Sequence, residues 1–281
     1  MTSAGSQLSV RIDRKAYPSM TTDEPDRLAI EGLSFDAAAG EFICIVGPSG
    51  CGKTTMLNVV AGLDHTAQAA IEFGGKSDAK TSRISYMFQT PRLLPWATVR
   101  ENVSLVLPPQ EADRGRAEAL LEEMKLGDRL DEFPNRLSGG MQRRVALARA
   151  FVTEPELLLL DEPFISLDGP VADHLRGILL QLWRAQPTTV LFVTHDLREA
   201  IYLADRILFL SNAPSRVILD EPVPIKRPRD VEDPRIESYR QQLLAGNRLI
   251  LQGLNSVSNS PALALGNKEQ PGDRHVREEP R

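Results

Sequence analysis

One glycine-rich stretch constrains this chain more than any other feature. The apolar run FICIV (42–46) leads directly into GPSGCGKTT (47–55), and Met56, Leu57, Val60 and Ala61 then recur on one helical face. A short apolar run ending in glycine reads as a buried strand, so the pattern predicts a strand, a tight loop and a helix over 54–63. The spacing Gly47-x-x-x-x-Gly52-Lys53-Thr54 is that of a phosphate-binding P-loop. Its glycines let successive backbone N–H groups turn inward around a phosphate. Lys53 can reach the β- and γ-oxygens, and the Thr54 hydroxyl can ligand Mg²⁺. The residues from Gly47 to Thr55 (Pro48, Ser49, Gly50, Cys51, Gly52, Lys53 and Thr54 between them) are therefore expected to bind nucleotide. The bland alternative, a chance glycine-rich turn, fits poorly with the strand before it and the helix after it. Cys51 is most simply a small residue in a tight loop. Its place beside the phosphates and a helix N-terminus also suggests an acidified, reactive thiol.

Further apolar runs sort the chain into layers. ELLLLDEP (156–163) and TTVLFVTHD (188–196) are continuous, as strands covered on both faces are. SRISYMFQ (82–89) reads as another strand, and RILFL with SRVILD as a closing hairpin. Between 98 and 152 the period turns helical. Val99, Val103 and Val106 mark one face, Ala117, Leu120, Leu121 and Met124 a second, with Gly127 as its C-cap, and Val145, Ala148 and Val152 a third. Residues 236–252 predict a last helix. Residues 1–8 and 18–27 are polar and expected to be loose, and the tail 253–281 has the composition of a disordered segment. Strand–helix alternation at both ends with a helical insert between predicts an α/β core interrupted by a helical subdomain. That this is a P-loop NTPase (RecA-like) core with an N-terminal antiparallel β region is what the family resemblance below implies. It forms one domain over 8–252, with core segments 8–90 and 153–225, helical subdomain 91–152 and C-terminal helix 234–251.

Two carboxylates end the run LLLLDE: Asp161, placed to hold Mg²⁺, and Glu162, placed to orient and polarise an attacking water. Gln89 could bridge metal and water, although a lone glutamine is as readily structural. His195 ends its strand on the edge where parallel sheets bind ligands, a candidate contact to a γ-phosphate, but such a histidine is often only structural. A second anion grip lies at NRLSGGMQRRVALARA (135–150), where Ser138, Gly139 and Gly140 precede a helix N-terminus.

Taken together these residues resemble the ATP-binding subunit of an ABC transporter. The P-loop, Gln89, the signature LSGGMQRR (137–144), LLLLDEP (157–163), SLD (166–168) and His195 occur in that family's order, over roughly residues 8 to 225. The resemblance implies a homodimer in which each ATP lies between one protomer's P-loop and the other's signature, with Ser138 and Gly140 on the γ-phosphate and Asp168 coupling the two sites. It also implies Mg²⁺ as cofactor and Tyr17 as the aromatic stacked on adenine. Tyr17 could equally be an amphipathic surface residue. Within the family, LLPW and VRENV after Gln89 and VTHDLREAIYLADRI (193–207) resemble the nitrate/sulfonate/taurine importers. FISLD departs from that group's usual small residues at Ile165 and Ser166. An importer cassette implies permease subunits, contacting it near Gln89–Trp96, and a solute-binding protein that it meets only indirectly. Trp96 could also be a buried packing residue, and both readings can hold together.

Composition limits the rival readings. A net charge of −5 gives no electrostatic reason to expect nucleic acid as a partner. Two cysteines, Cys44 and Cys51, are too few for a disulfide framework and suggest a reducing compartment. No apolar run nears the ~20 residues of a membrane helix, and the N-terminus lacks a signal peptide's apolar core. The expectation is a peripheral protein on the cytoplasmic face of the inner membrane, powering uptake of a small anion such as nitrate, an alkanesulfonate or taurine. A soluble ABC ATPase of translation or DNA repair is the alternative; such proteins usually carry two cassettes or a coiled-coil insertion. A P-loop kinase or GTPase leaves the signature unexplained.

Overall fold

The computed structural model describes residues 8–19, 25–74, 83–108, 115–186 and 188–247. The expected tail 253–281, residues 1–7 and the end of the predicted last helix lie outside them.

Two sheets share the molecule. β1 (Leu8–Tyr17), β2 (Arg27–Ala37) and β4 (Gln68–Phe73) form an antiparallel sheet in the order β2-β1-β4. The second sheet has six strands: β3 (Phe42–Val46), β5 (Ile84–Met87), β6 (Leu157–Asp161), β7 (Thr189–Thr194), β8 (Arg206–Leu210) and β9 (Val217–Pro222). Their order is β5-β6-β7-β3-β8-β9, parallel except for the closing β8–β9 hairpin.

The continuous apolar runs follow from this layering. Alternate residues of a strand face opposite sides of its sheet. Phe42, Cys44 and Val46 of β3 enter one core, with Leu158, Leu160, Val190 and Phe192 of the neighbouring strands. Ile43, Ile45, Leu157, Leu159, Leu191 and Val193 enter the other, against α1 (Lys53–Val60) and the antiparallel sheet. A strand with a core on each face has no position to give to a polar residue.

The first core continues into the insert between β5 and β6: α2 (Val99–Ser104), α3 (Arg116–Glu123) and α4 (Gly139–Phe151). Thr98 opens α2 with a reciprocal capping box to Glu101. α5 (Gly169–Ala185), α6 (Leu197–Leu203) and α7 (Pro234–Gly246) complete that layer.

Four local expectations are corrected. α3 does not end on Gly127. Lys125 takes the left-handed turn (φ 58°), Leu126 N–H bonds Leu121 C=O (2.8 Å) and Lys125 N–H bonds Glu122 C=O (2.8 Å), a Schellman motif two residues earlier. α2 stops at Ser104, so Val106 lies outside its face and is exposed. The strand expected over 82–89 is only Ile84–Met87, at the sheet edge. Gly139 and Gly140 belong to the first turn of α4 instead of preceding it.

Candidate functional site

Strand order builds the site. β5, β6, β7 and β3 are consecutive neighbours and parallel, so the residues after their C-terminal ends lie side by side on one sheet edge. These are Gln89, the pair Asp161 and Glu162, His195, and the P-loop. Ligands of open α/β sheets bind along this edge. A cleft of about 440 Å³ opens there, lined by Lys53, Thr54, Thr55, Gln89, Glu162 and His195 among others. The structure thus gathers residues spread over more than a hundred positions.

The loop's shape depends on its glycines. Gly52, which precedes α1, has φ 113°, and a Cβ there would sit 3.2 Å from the Ala29 carbonyl. A Cβ on Gly47 would meet Cys51 Sγ at 2.9 Å. Cys51 therefore packs into the loop. It is buried, and burial pushes its thiol up despite the opposing charge of Lys53. The acidified, reactive thiol is not what the structure holds. Cys51 is a small buried residue.

Lys53 is buried, with Nζ donating to the carbonyls of Gly47 (2.7 Å) and Pro48 (2.9 Å) and lying 4.0 Å from Glu162 Oε1. Thr54 Oγ1 donates to Asp161 Oδ2 at 2.8 Å. Burial pushes the Asp161 carboxyl above its ordinary value, and neighbouring Glu162 adds to the rise. Glu162 has φ 44°, an unusual conformation for a non-glycine residue, and its N–H bonds the Val193 carbonyl at 3.0 Å. His195 Nδ1 lies 3.2 Å from Glu162 Oε2. That hydrogen bond holds the Glu162 carboxyl below its ordinary value and the His195 imidazole above its own. A carboxylate that stays ionised at the cleft can accept a proton from water, and the imidazole can steady it.

The signature lies elsewhere. Ser138 caps α4, its Oγ accepting the Met141 N–H at 3.3 Å, and it is exposed with Gly139. Neither these residues nor Gly140 line the P-loop cleft. Asp168 stands exposed at the start of α5. Tyr17 ends β1 beside the loop, its hydroxyl 3.0 Å from Thr55 Oγ1. Trp96 is 74% exposed, which rules out the packing reading.

Sequence reasoning missed the residues that fasten the segment after Gln89. Arg143 donates to the carbonyls of Gln89 (3.1 Å), Pro163 (2.6 Å) and Ile165 (2.7 Å). Arg149 donates to those of Pro91 (2.6 Å) and Arg92 (3.0 Å). Buried Asn102 bonds Leu94 in both directions, accepting its N–H at 2.7 Å and donating to its carbonyl at 3.1 Å. Arg143 and Arg149 both lie on the helix that opens at Ser138, and nothing in their spacing singles them out. Here they hold backbone, and only a map of which carbonyls lack partners would have revealed it.

Comparison with known proteins agrees with this geometry. The ABC transporter family model matches residues 30–165. The aliphatic sulfonates import ATP-binding protein SsuB 2 of Burkholderia lata is 40% identical over 238 residues, covering 84% of this chain and 85% of that one. SsuB of Bacillus subtilis is 38% identical over 240 residues, covering 85% and 93%. The dimeric structure of the ATP-binding cassette MJ0796 in a post-hydrolysis state, bound to ADP and Pi, is similar, with TM-score 0.66 and 29% identity over 78% of this chain and all of that one. A chain so similar to these proteins along most of their length belongs to the ATP-binding subunits of ABC transporters.

Proposed function

We propose that this protein is the ATP-hydrolysing subunit of an importer for aliphatic sulfonates. It works as a homodimer docked against membrane permease subunits on the cytoplasmic face. As an ABC ATP-binding subunit it hydrolyses ATP. The solute comes from its relatives, which are import proteins for aliphatic sulfonates and so speak against the translation and DNA-repair alternative. Among the described residues no helix is long and apolar enough to cross a membrane.

One observation carries the mechanism: the Glu162 carboxylate is held between the Lys53 ammonium and the His195 imidazole at the mouth of the loop cleft. Loop N–H groups and Lys53 bind the triphosphate. Glu162 accepts the proton of the attacking water, and His195 steadies that carboxylate and faces the terminal phosphate. The donors near Thr54 fit Mg²⁺. A hydroxyl and a carboxylate oxygen 2.8 Å apart, with the Gln89 amide in the same cleft, form a hard oxygen set. Thr54, Asp161 and Gln89 would hold the ion, which when bound supplies positive charge to the phosphate oxygens.

The exposed signature gives the dimer its reason. Ser138, Gly139 and Gly140 present a helix N-terminus outward, where it suits an anion held by another copy. Ser138 and Gly140 would close on the γ-phosphate across the interface, Asp168 would couple the two sites, and loss of that phosphate would release the dimer. The dimeric form of a similar cassette supports this arrangement. Exposed Trp96, on the segment held by Asn102 and Arg149, supports a permease contact near Gln89–Trp96.

The test is reconstitution of the protein with its co-purified permease and solute-binding protein in vesicles. Ethanesulfonate should accelerate ATP hydrolysis. Acceleration by nitrate alone would overturn the substrate, and indifference to every solute would overturn the importer assignment.

A further inference from the structure

Tyr17 and Lys15 stand two residues apart on β1, on either side of a register shift between Lys15 and Ala16. Lys15 is only 4% exposed, while Tyr17 is 41% exposed. The Lys15 ammonium lies 4.5 Å from the centroid of the Tyr17 ring, over its face. It is fixed there from the other side by Asp64 Oδ2 (2.7 Å) and by a hydrogen bond to Thr66 Oγ1, and Thr66 also donates to Asp64 (2.7 Å). Asp64 and Thr66 lie just after α1, the helix that begins at the P-loop, and the Tyr17 hydroxyl meets Thr55 in its first turn (3.0 Å). The ring is thus tied to both ends of the phosphate-binding helix. The buried cation occupies one ring face, and Tyr17 keeps two-fifths of its surface exposed, room for a planar ligand on the other.

We propose that Lys15 is a positioning residue for the nucleotide base: it backs the Tyr17 ring so that the open face stacks on adenine at a fixed distance from the P-loop. This rests on the reading of Tyr17 as the base platform. Two physical effects follow from the geometry. A cation against one face of an aromatic ring is attracted to its quadrupole and stops the ring from swinging away. It also draws π density away from the open face, which favours stacking with an electron-rich purine. A lysine kept only for folding would need its carboxylate partner but no ring.

The test compares two ligands on the purified full-length chain by calorimetry: MgATP, which has a base, and magnesium tripolyphosphate, which has none. Lys15→Met should weaken MgATP about five- to tenfold, leave tripolyphosphate unchanged, and be largely rescued by Lys15→Arg, which keeps the cation. Equal weakening of both ligands, or of neither, would overturn the proposal. Tyr17→Ala tests the underlying reading separately. If it leaves the ratio of the two affinities unchanged, Tyr17 is not the platform. If it lowers the ratio while Lys15→Met does not, only the role of Lys15 fails. Should Lys15→Met not fold, Asp64→Asn, which removes the anion beneath the ammonium, should give a smaller loss confined to MgATP, and an equal effect on both ligands would again overturn the proposal.

Discussion

His195 Nδ1 lies 3.2 Å from Glu162 Oε2, although the two residues are 33 positions apart and extend from neighbouring strands. Each shifts the other's protonation: the hydrogen bond lowers the Glu162 carboxyl and raises the His195 imidazole. The histidine's share of the pair's stability is complete below its ordinary 6.5 and fades as pH rises through the raised value. The glutamate's share is complete above its ordinary 4.5 and fades as pH falls through the lowered one. In an NMR titration His195 should therefore show a midpoint above 6.5, and Glu162→Gln should return it to that value or below.

The same substitution should leave ATP binding intact, because the loop is untouched and Lys53 keeps its closer bonds to the Gly47 and Pro48 carbonyls. Turnover should fall ~10²- to 10⁴-fold, the usual contribution of a positioned base. ATP-stabilised dimers should then accumulate in size-exclusion chromatography. A normal hydrolysis rate would remove Glu162 from its assigned role.

Asp161 is a buried carboxylate whose charge is costly without a cation, as its raised proton affinity indicates. Asp161→Asn should make the ligand-free protein melt ~2–4 °C higher, the shift expected for about 1 kcal/mol at this size. It should also raise the Mg²⁺ concentration needed for half-maximal hydrolysis about tenfold. Thermal melts and a Mg²⁺ titration check both, and chelation with EDTA should abolish hydrolysis in the wild type.

Arg143 joins the signature helix to the carbonyls of Gln89, Pro163 and Ile165, so it ties together the segments that follow β5 and the Asp161–Glu162 pair. Arg143→Gln cannot reach all three and would leave the carbonyl of buried Pro163 short of a partner, at ~1–3 kcal/mol, with smaller losses at half-buried Ile165 and exposed Gln89. The expected result is a lower melting temperature and a fall in kcat of about tenfold with little change in ATP affinity. A change confined to ATP affinity would refute the linking role.

Ser138→Arg places bulk and charge on the exposed start of α4, away from the cleft of its own protomer. MgATP binding by the monomer should survive, while hydrolysis and its dependence on protein concentration should disappear. Normal turnover would count against a shared site.

Trp96→Ala should leave the hydrolysis rate of the isolated protein within about twofold, since the side chain is largely outside the fold. Co-purification with the permease should be lost, and retention of the complex would move the contact elsewhere.

Much of the fold could be read from pattern alone. FICIV, LLLLD and TVLFVT had to be strands with a core on each side, and they are. Boundaries were less legible because neighbours set them. The edge strand β5 keeps four residues, α2 stops before Val106, and Lys125 takes a turn that Gly127 suited better on propensity. The thiol of Cys51 divides in the same way between its plainer reading, a small packed residue, which holds, and its acidity, which does not. Its loop position suggested acidity, but the side chain packs inward, and burial outweighs the nearby ammonium.

What the linear chain determined is local: a loop that only glycines can close, strands whose two apolar faces demand two cores, and a helical period between 98 and 152. Those properties depend on backbone sterics and on the removal of apolar surface from water, both fixed by residue type and spacing. Which groups meet was decided by strand order. Placing β7 between β6 and β3 sets Asp161 against Thr54 and lets His195 and Lys53 share Glu162, contacts between residues far apart in sequence. Hydrogen bonds and charge pairs act over a few ångströms, so the proton affinities of these groups exist only once the sheet has assembled.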